Sequence, residues 1–202
     1  MNNLKNIKKS NNINKVSIFI YCINDKGQMM LLLGKENNTP YNKTDIELFS
    51  EFYGRFINDE TIEQATSRII FEKTMNLLIE PDQFEKIIPT LPYIISYENN
   101  QNNENNEKTQ SNGKIIFAYK IDYDEYKNIP KYYNRIFAYL NLCTTNNTLG
   151  HTYIESCPIG FLDKSELKWF GFKEIIDQNK NFSLKFYKNL SLIIDKITNK
   201  YQ

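Results

Sequence analysis

Residues able to do chemistry are densest between Phe52 and Leu78, which reads FYGRFINDETIEQATSRIIFEKTMNLL. Gly54 is followed after five residues by Glu60 and after seven more by Arg68, with Glu72 and Lys73 beyond. On a helix Ile69, Glu72 and Lys73 stand at i, i+3 and i+4 and share one face. Glu72 is the hard oxygen donor that Mg²⁺ or Mn²⁺ takes, although one carboxylate is a poor magnesium site by itself. Its simpler reading is a solvated carboxylate paired with Lys73 or Arg68. Lys73 brings an ammonium that holds phosphate as a point charge, against the plain alternative of an exposed lysine. Arg55 and Lys35 are the other candidate phosphate-binding cations. Tyr53 and Phe56, and further off Tyr93, Tyr97 and Trp169, are candidates to stack on a base, each also suited to core or rim. Asp163, Glu155 and Glu166 could complete a metal site from outside this stretch, or be loop charges. His151, the one histidine, reads as a loop residue.

The elements that must position these residues follow from patterning. Val16 to Ile23 (VSIFIYCI) predicts a buried strand, Asn24-Asp25-Lys26-Gly27 a turn, and Gln28 to Lys35 the next strand. Ile46 to Gly54 alternates as a strand ending at the glycine. Thr61 to Leu78 predicts the main helix, capped by Asp59 and stopped before Pro81. Leu91 to Glu98 and Lys114 to Asp122 are strands. Residues 99–113 between them are almost all Asn, Gln, Glu, Lys and Ser, and predict a disordered insertion in a hairpin. Residues 124–142 are ambiguous, with Pro130 arguing for a break. Gly160 to Phe172 suggests a strand and turn feeding a short helix. Phe182 to Lys200 has the 3.6-residue apolar spacing of an amphipathic helix, and Trp169 is expected to pack beneath it. Residues 1–15 are polar and predict a flexible N-terminal arm, with one domain over 16–202.

Bulk properties narrow the functional classes. Lys and Arg number 25 against 24 Asp and Glu, so net charge does not argue for a general nucleic-acid or membrane-surface binder; double-stranded DNA and membranes are not expected partners. Cys22, Cys143 and Cys157 lack the even count and close spacing of a disulfide or zinc pattern, which favours a reducing, cytoplasmic setting. No apolar run approaches the ~20 residues that span a bilayer. Heavy use of Asn, Lys, Ile and Tyr fits an AT-rich genome.

The spacing around Gly54, Glu60 and Arg68 resembles the Nudix box, which runs glycine, five residues, glutamate, seven residues, an Arg-Glu pair and then a Glu-Glu pair. The run Glu72-Lys73-Thr74-Met75-Asn76 is also similar to a variant in large DNA viruses, for which the host cytoplasm would be the location. Leu31 to Lys35 looks like the family's opening hairpin, and Asp163 to Phe170 like the segment before its last helices. The resemblance spans roughly Val16 to Ile197. It implies an α/β fold, a Nudix-type α/β/α sandwich with a mixed sheet and a C-terminal helix. It also implies that Gly54 supports the turn into the box loop and that Glu60 and Arg68 form an ion pair bracing that loop.

The same resemblance exposes what is missing. Family members hold Mg²⁺ or Mn²⁺ with carboxylates at the positions of Ile69, Glu72 and Lys73. Two of these three are absent, and one has become an ammonium. Unit charges ~4 Å apart interact by about 4 kcal/mol at an effective dielectric near 20, so Lys73 opposes a divalent ion strongly. The expectation is a catalytically impaired Nudix-fold protein that binds a phosphorylated nucleotide, an RNA 5′ end or a protein partner without hydrolysis and without a metal cofactor. Lys73 would then stand where a metal stands in relatives. The alternatives are an active Mg²⁺- or Mn²⁺-dependent phosphoanhydride hydrolase in which Glu72 survives as a ligand, and a structural or assembly protein.

Overall fold

A strand buried on both faces needs an unbroken apolar run, and Ile13–Ile23 supplies it as β1, the centre of the sheet in a computed structural model that describes Leu4, Ile7 and residues 12–38, 45–98, 112–146 and 158–198. β2 (Met29–Glu36), β3 (Phe49–Ser50), β4 (Phe52–Arg55), β5 (Tyr93–Glu98), β6 (Asn112–Lys120) and β7 (Lys164–Gly171) complete a sheet ordered β3-β2-β1-β6-β5, with β4 on β1 and β7 on β2. β1 runs parallel to β6 and antiparallel to β2 and β4, so the sheet is mixed, as expected.

One detail of register places the site. The second half of β1 pairs with β2 (Ile20 opposite Leu32), whereas its first half pairs with β4 (Ile18 opposite Phe52). β2 meanwhile continues onto β3 (Gly34 opposite Ser50). The two halves of the expected strand 46–54 therefore serve different partners, and Glu51 sits at the break between them.

Alternation along the strands feeds two cores. Val16, Ile18, Ile20, Phe117 and Leu167 face α1 (Ile62–Thr74), α2 (Pro81–Ile87) and α4 (Ile129–Asn146), which follows the one-turn α3 (Tyr123–Tyr126). Phe19, Tyr21, Leu31 and Phe170 face α6 (Leu184–Thr198), which follows the short α5 (Phe172–Asp177). The result is an α/β/α sandwich closed by a C-terminal helix.

Several expectations are corrected. The N-terminal boundary falls earlier than Val16: β1 begins at Ile13, and Leu4 and Ile13 are buried because their side chains extend the first core. Asn112 and Gly113 belong to β6, while residues 99–111 of the expected insertion lie outside the described residues. The cap of α1 is Thr61 rather than Asp59: its hydroxyl accepts from the Gln64 N–H while the Gln64 side chain accepts from the Thr61 N–H, a reciprocal capping box. The helix stops at Thr74, earlier than Leu78, because Met75 (φ 53°) and Asn76 (φ 57°) turn left-handed. Pro81 starts α2 and Pro130 lies in the first turn of α4, where a missing N–H costs nothing. Trp169 packs on the α1 side against Tyr123, and its strand neighbour Phe170 is the one beneath α6.

Candidate functional site

The Gly54-to-Arg68 segment is built as a braced loop. The Arg68 guanidinium donates to both Glu60 oxygens (2.7 and 2.9 Å) and to the Arg55 carbonyl (2.8 Å), while the Ile57 N–H donates to Glu60 (2.9 Å). A fork meeting two carboxylate oxygens fixes direction as well as distance. Gly54 is required by contact: a Cβ there would stand 2.9 Å from the Ile69 side chain. Ile69 is fully buried, a core residue.

Glu72 is committed to this brace. It accepts from Arg68 (3.2 Å), and the Gly160 backbone lies over it so closely that a Cβ on Gly160 would stand 2.6 Å from its carboxylate. Burial pushes its pKa up, Arg68 and Lys73 pull it down, and the balance leaves it above the ordinary carboxylate value.

Lys73 points elsewhere, into a cleft of ≈480 Å³ over the split in the sheet. It is 8% exposed, and its ammonium donates to Asp163 (2.6 Å), which follows a 3-10 turn (Ile159–Leu162). Two more ion pairs lie alongside. Lys114 of β6 donates to Glu51 (2.9 Å), whose same oxygen accepts from Ser17 (3.0 Å) and Asn189 of α6 (2.9 Å). Lys164, with no exposed surface, donates to Glu36 and to Ser50 (2.6 Å), and the Ser50 hydroxyl also donates to Glu36. The stem of Lys164 crosses Gly34, where a Cβ would meet it at 2.7 Å.

All three ammoniums converge on one ring. Lys164, Lys114 and Lys73 stand 5.3, 5.6 and 5.8 Å from the centroid of Tyr53. Burial acts first on the charged groups here. It raises the Tyr53 phenol, with Glu36 and Glu51 adding to the rise, so the ring stays a neutral hydroxyl. It depresses Lys164, against the pull of Glu36. It would raise Glu51, but Lys114 and the hydrogen bonds to the carboxylate, Asn189 among them, together outweigh it, and the carboxyl ends below its ordinary value.

The candidates thus divide. Tyr53, Gly54, Arg55 and Lys73 line the cleft, and Arg55 is exposed there. Lys35 does not line it; its ammonium pairs with Glu47 (2.5 Å) at the other end of the loop after β2. Phe56 packs against the first core, Tyr93 against Phe117, and Glu72 holds Arg68. Of the proposed extra acids, Asp163 reaches the cleft but meets an ammonium, Glu166 does not line it, and Glu155, like His151, lies outside the described residues. Lys114, Lys164, Glu36 and Glu51 were missed. Their one sequence signal is charge inside or at the edge of apolar strands, where it needs a buried partner.

Cleft-lining cations are Lys15, Arg55, Lys73, Lys114 and Lys185, against the carboxylates Glu36, Asp45, Glu51 and Asp163. No group of three or more His, Cys, Asp or Glu among the described residues converges as metal donors. Glu36, Glu51 and Asp163 each already hold an ammonium, so this donor set does not fit a divalent cation.

An α/β/α sandwich with this mixed strand order and a glycine loop braced onto the following helix defines a fold class. It is the Nudix fold: the chain is similar to a MutT/Nudix family protein from Listeria innocua (TM-score 0.53, 12% identity, covering 93% of this chain and 94% of that one). It is also similar to a bifunctional NMN adenylyltransferase/ADP-ribose pyrophosphatase from Francisella tularensis (TM-score 0.52, 14% identity, 92% of this chain and 42% of that one), and to the same protein complexed with AMP and a manganese ion (TM-score 0.51, 14% identity, 90% and 41%). No family model matches the sequence, and no curated protein does. No helix among the described residues is long and apolar enough to cross a membrane.

Proposed function

We propose that this chain is a Nudix-fold binding protein that holds a phosphorylated nucleotide, or the phosphorylated 5′ end of an RNA, on the Lys73 ammonium without hydrolysing it. The observation that carries this reading is the position of Lys73. It issues from the helix face whose carboxylates hold metal in the family, and it joins Lys114 and Lys164 around the Tyr53 ring. A fixed ammonium neutralises a phosphate oxygen but does not lower the pKa of a bound water as a divalent ion does. Charge neutralisation is thus kept while the means of making a nucleophile is lost. The nucleotide class rests on the solved Nudix-fold structure that holds AMP, a fold-level analogy.

Isothermal titration with ADP in the presence of EDTA tests this. Binding without added metal, no release of nucleoside monophosphate from dinucleotide or capped substrates with Mg²⁺ or Mn²⁺, and at least about tenfold weaker binding by Lys73→Gln are expected. Metal-dependent turnover that disappears in Glu72→Gln would establish the hydrolase instead.

A further inference from the structure

The three ion pairs at the Tyr53 ring are not equivalent. Lys114–Glu51 and Lys164–Glu36 are sealed: side-chain exposures are 4% and 4%, and 0% and 3%. Each of those carboxylates also accepts from a serine, Ser17 for Glu51 and Ser50 for Glu36. The Lys73–Asp163 pair is open on one side, with Asp163 24% exposed at the cleft wall, and the Asp163 carboxylate accepts from Lys73 alone among the described residues. Two pairs are therefore sealed from solvent, and one borders the cleft.

The backbone at Asp163 is held by bonds separate from the one its side chain makes to Lys73. The Asn37 N–H donates to the Asp163 carbonyl (3.0 Å), the Asn37 amide donates to the Leu162 carbonyl (2.8 Å), and Gly160 is pressed onto Glu72. Rotation of the carboxylate away from Lys73 needs no movement of that turn.

We infer that Asp163 is an internal counter-anion, occupying the ammonium of Lys73 until an incoming phosphate displaces it. This rests on the phosphate-binding reading above and adds its regulation: affinity is held down by a competing carboxylate of the chain itself. A monoanionic carboxylate against one ammonium is a weaker partner than a phosphate carrying about two charges and three acceptor oxygens at neutral pH. The exchange therefore runs toward the ligand but costs the energy of the pair it breaks. Empty, the cleft keeps its lysine neutralised, so it presents little net positive potential to nonspecific anions.

Asp163→Asn keeps the shape and removes the charge. Titration with inorganic pyrophosphate in EDTA is expected to show binding at least about tenfold tighter than wild type, the scale of one close charge pair. Asp163→Ser is the second variant should the amide disturb the turn. Glu47→Gln changes net charge equally at an acid 64% exposed and outside the cleft, and its affinity is expected to match wild type. If wild type binds and the Asp163 variants bind equally or more weakly, the counter-anion is refuted while the phosphate site stands. Tightening of the same size in Glu47→Gln refutes it too, by making the effect one of overall charge. If neither wild type nor the variants bind, both this inference and the phosphate-site reading fail.

Discussion

Glu72 and Lys73 are adjacent in the chain and do opposite work. Glu72 turns back along the helix to Arg68 and is covered by Gly160, whereas Lys73 enters the cleft. The carboxyl of Glu72 is raised above its ordinary value, with burial the leading cause. A raised folded-state pKa means the ionised form is less favoured in the fold than in the unfolded chain, so stability is lost as pH rises through that value. Glu72→Gln is accordingly expected to change the unfolding free energy by less than about 1 kcal/mol at pH 7 and to leave ADP affinity unaltered. Arg68→Ala, which strands Glu60 and the Arg55 carbonyl, is expected to cost about 2–4 kcal/mol. Denaturant titration of both variants checks the contrast, and equal losses would show that Glu72 carries a structural role beyond its bond to Arg68.

The decisive contact between elements is the one between the loop of Gly54 and helix α1. The approach is so close that the loop strand, β4, rests on Ile69 itself. Adding one methyl at Gly54 forces the buried Ile69 side chain, or the helix and strand that hold it, to give way, and Gly54→Ala is expected to destabilise by about 1–3 kcal/mol. Ile69→Val removes part of the obstructing side chain, so the double variant should lose less than the two singles together, a coupling that a double-mutant cycle reads directly. Much of this element was legible in advance, since the resemblance of the Gly54–Glu60–Arg68 spacing to the Nudix box implies a loop braced onto a helix. The cap was not. Asp59 and Thr61 both suit an N-cap, and only the Gln64 side chain returning to the Thr61 N–H selects the threonine.

Across the whole molecule, Lys73 from one layer and Lys114 of the sheet meet at the Tyr53 ring, and Lys114 shares Glu51 with Asn189 of α6 from the other layer. Asn189 bonds to the same Glu51 oxygen as Lys114, so the C-terminal helix is tied to the site through a buried carboxylate. Buried charges of this kind are costly when orphaned, and they favour a single arrangement of the layers. Against burial, Lys114 and the hydrogen bonds to its carboxylate together hold the Glu51 pKa below its ordinary value. The stability it contributes is therefore present above the unfolded-state value, near 4.3, and is lost as pH falls through the lower folded-state value. The difference in unfolding free energy between wild type and Glu51→Gln should be constant above about pH 5.5 and shrink as pH falls below the unfolded-state value; a difference independent of pH would remove Glu51 from the acid response.

The sequence by itself determined the apolar strands, the amphipathic C-terminal helix, the α/β class and the placing of Ile69, Glu72 and Lys73 on one helix face, because periodicity and residue type are properties of the chain alone. Tertiary structure decided which charges meet. Lys114 and Lys164 lie 41 and 91 residues beyond Lys73 and come to the same ring only because β6 and β7 flank opposite sides of the β1–β2 pair. Ion pairing depends on distance in space, which falls off within a few ångströms, and no local pattern encodes a partner 90 residues away such as Asp163.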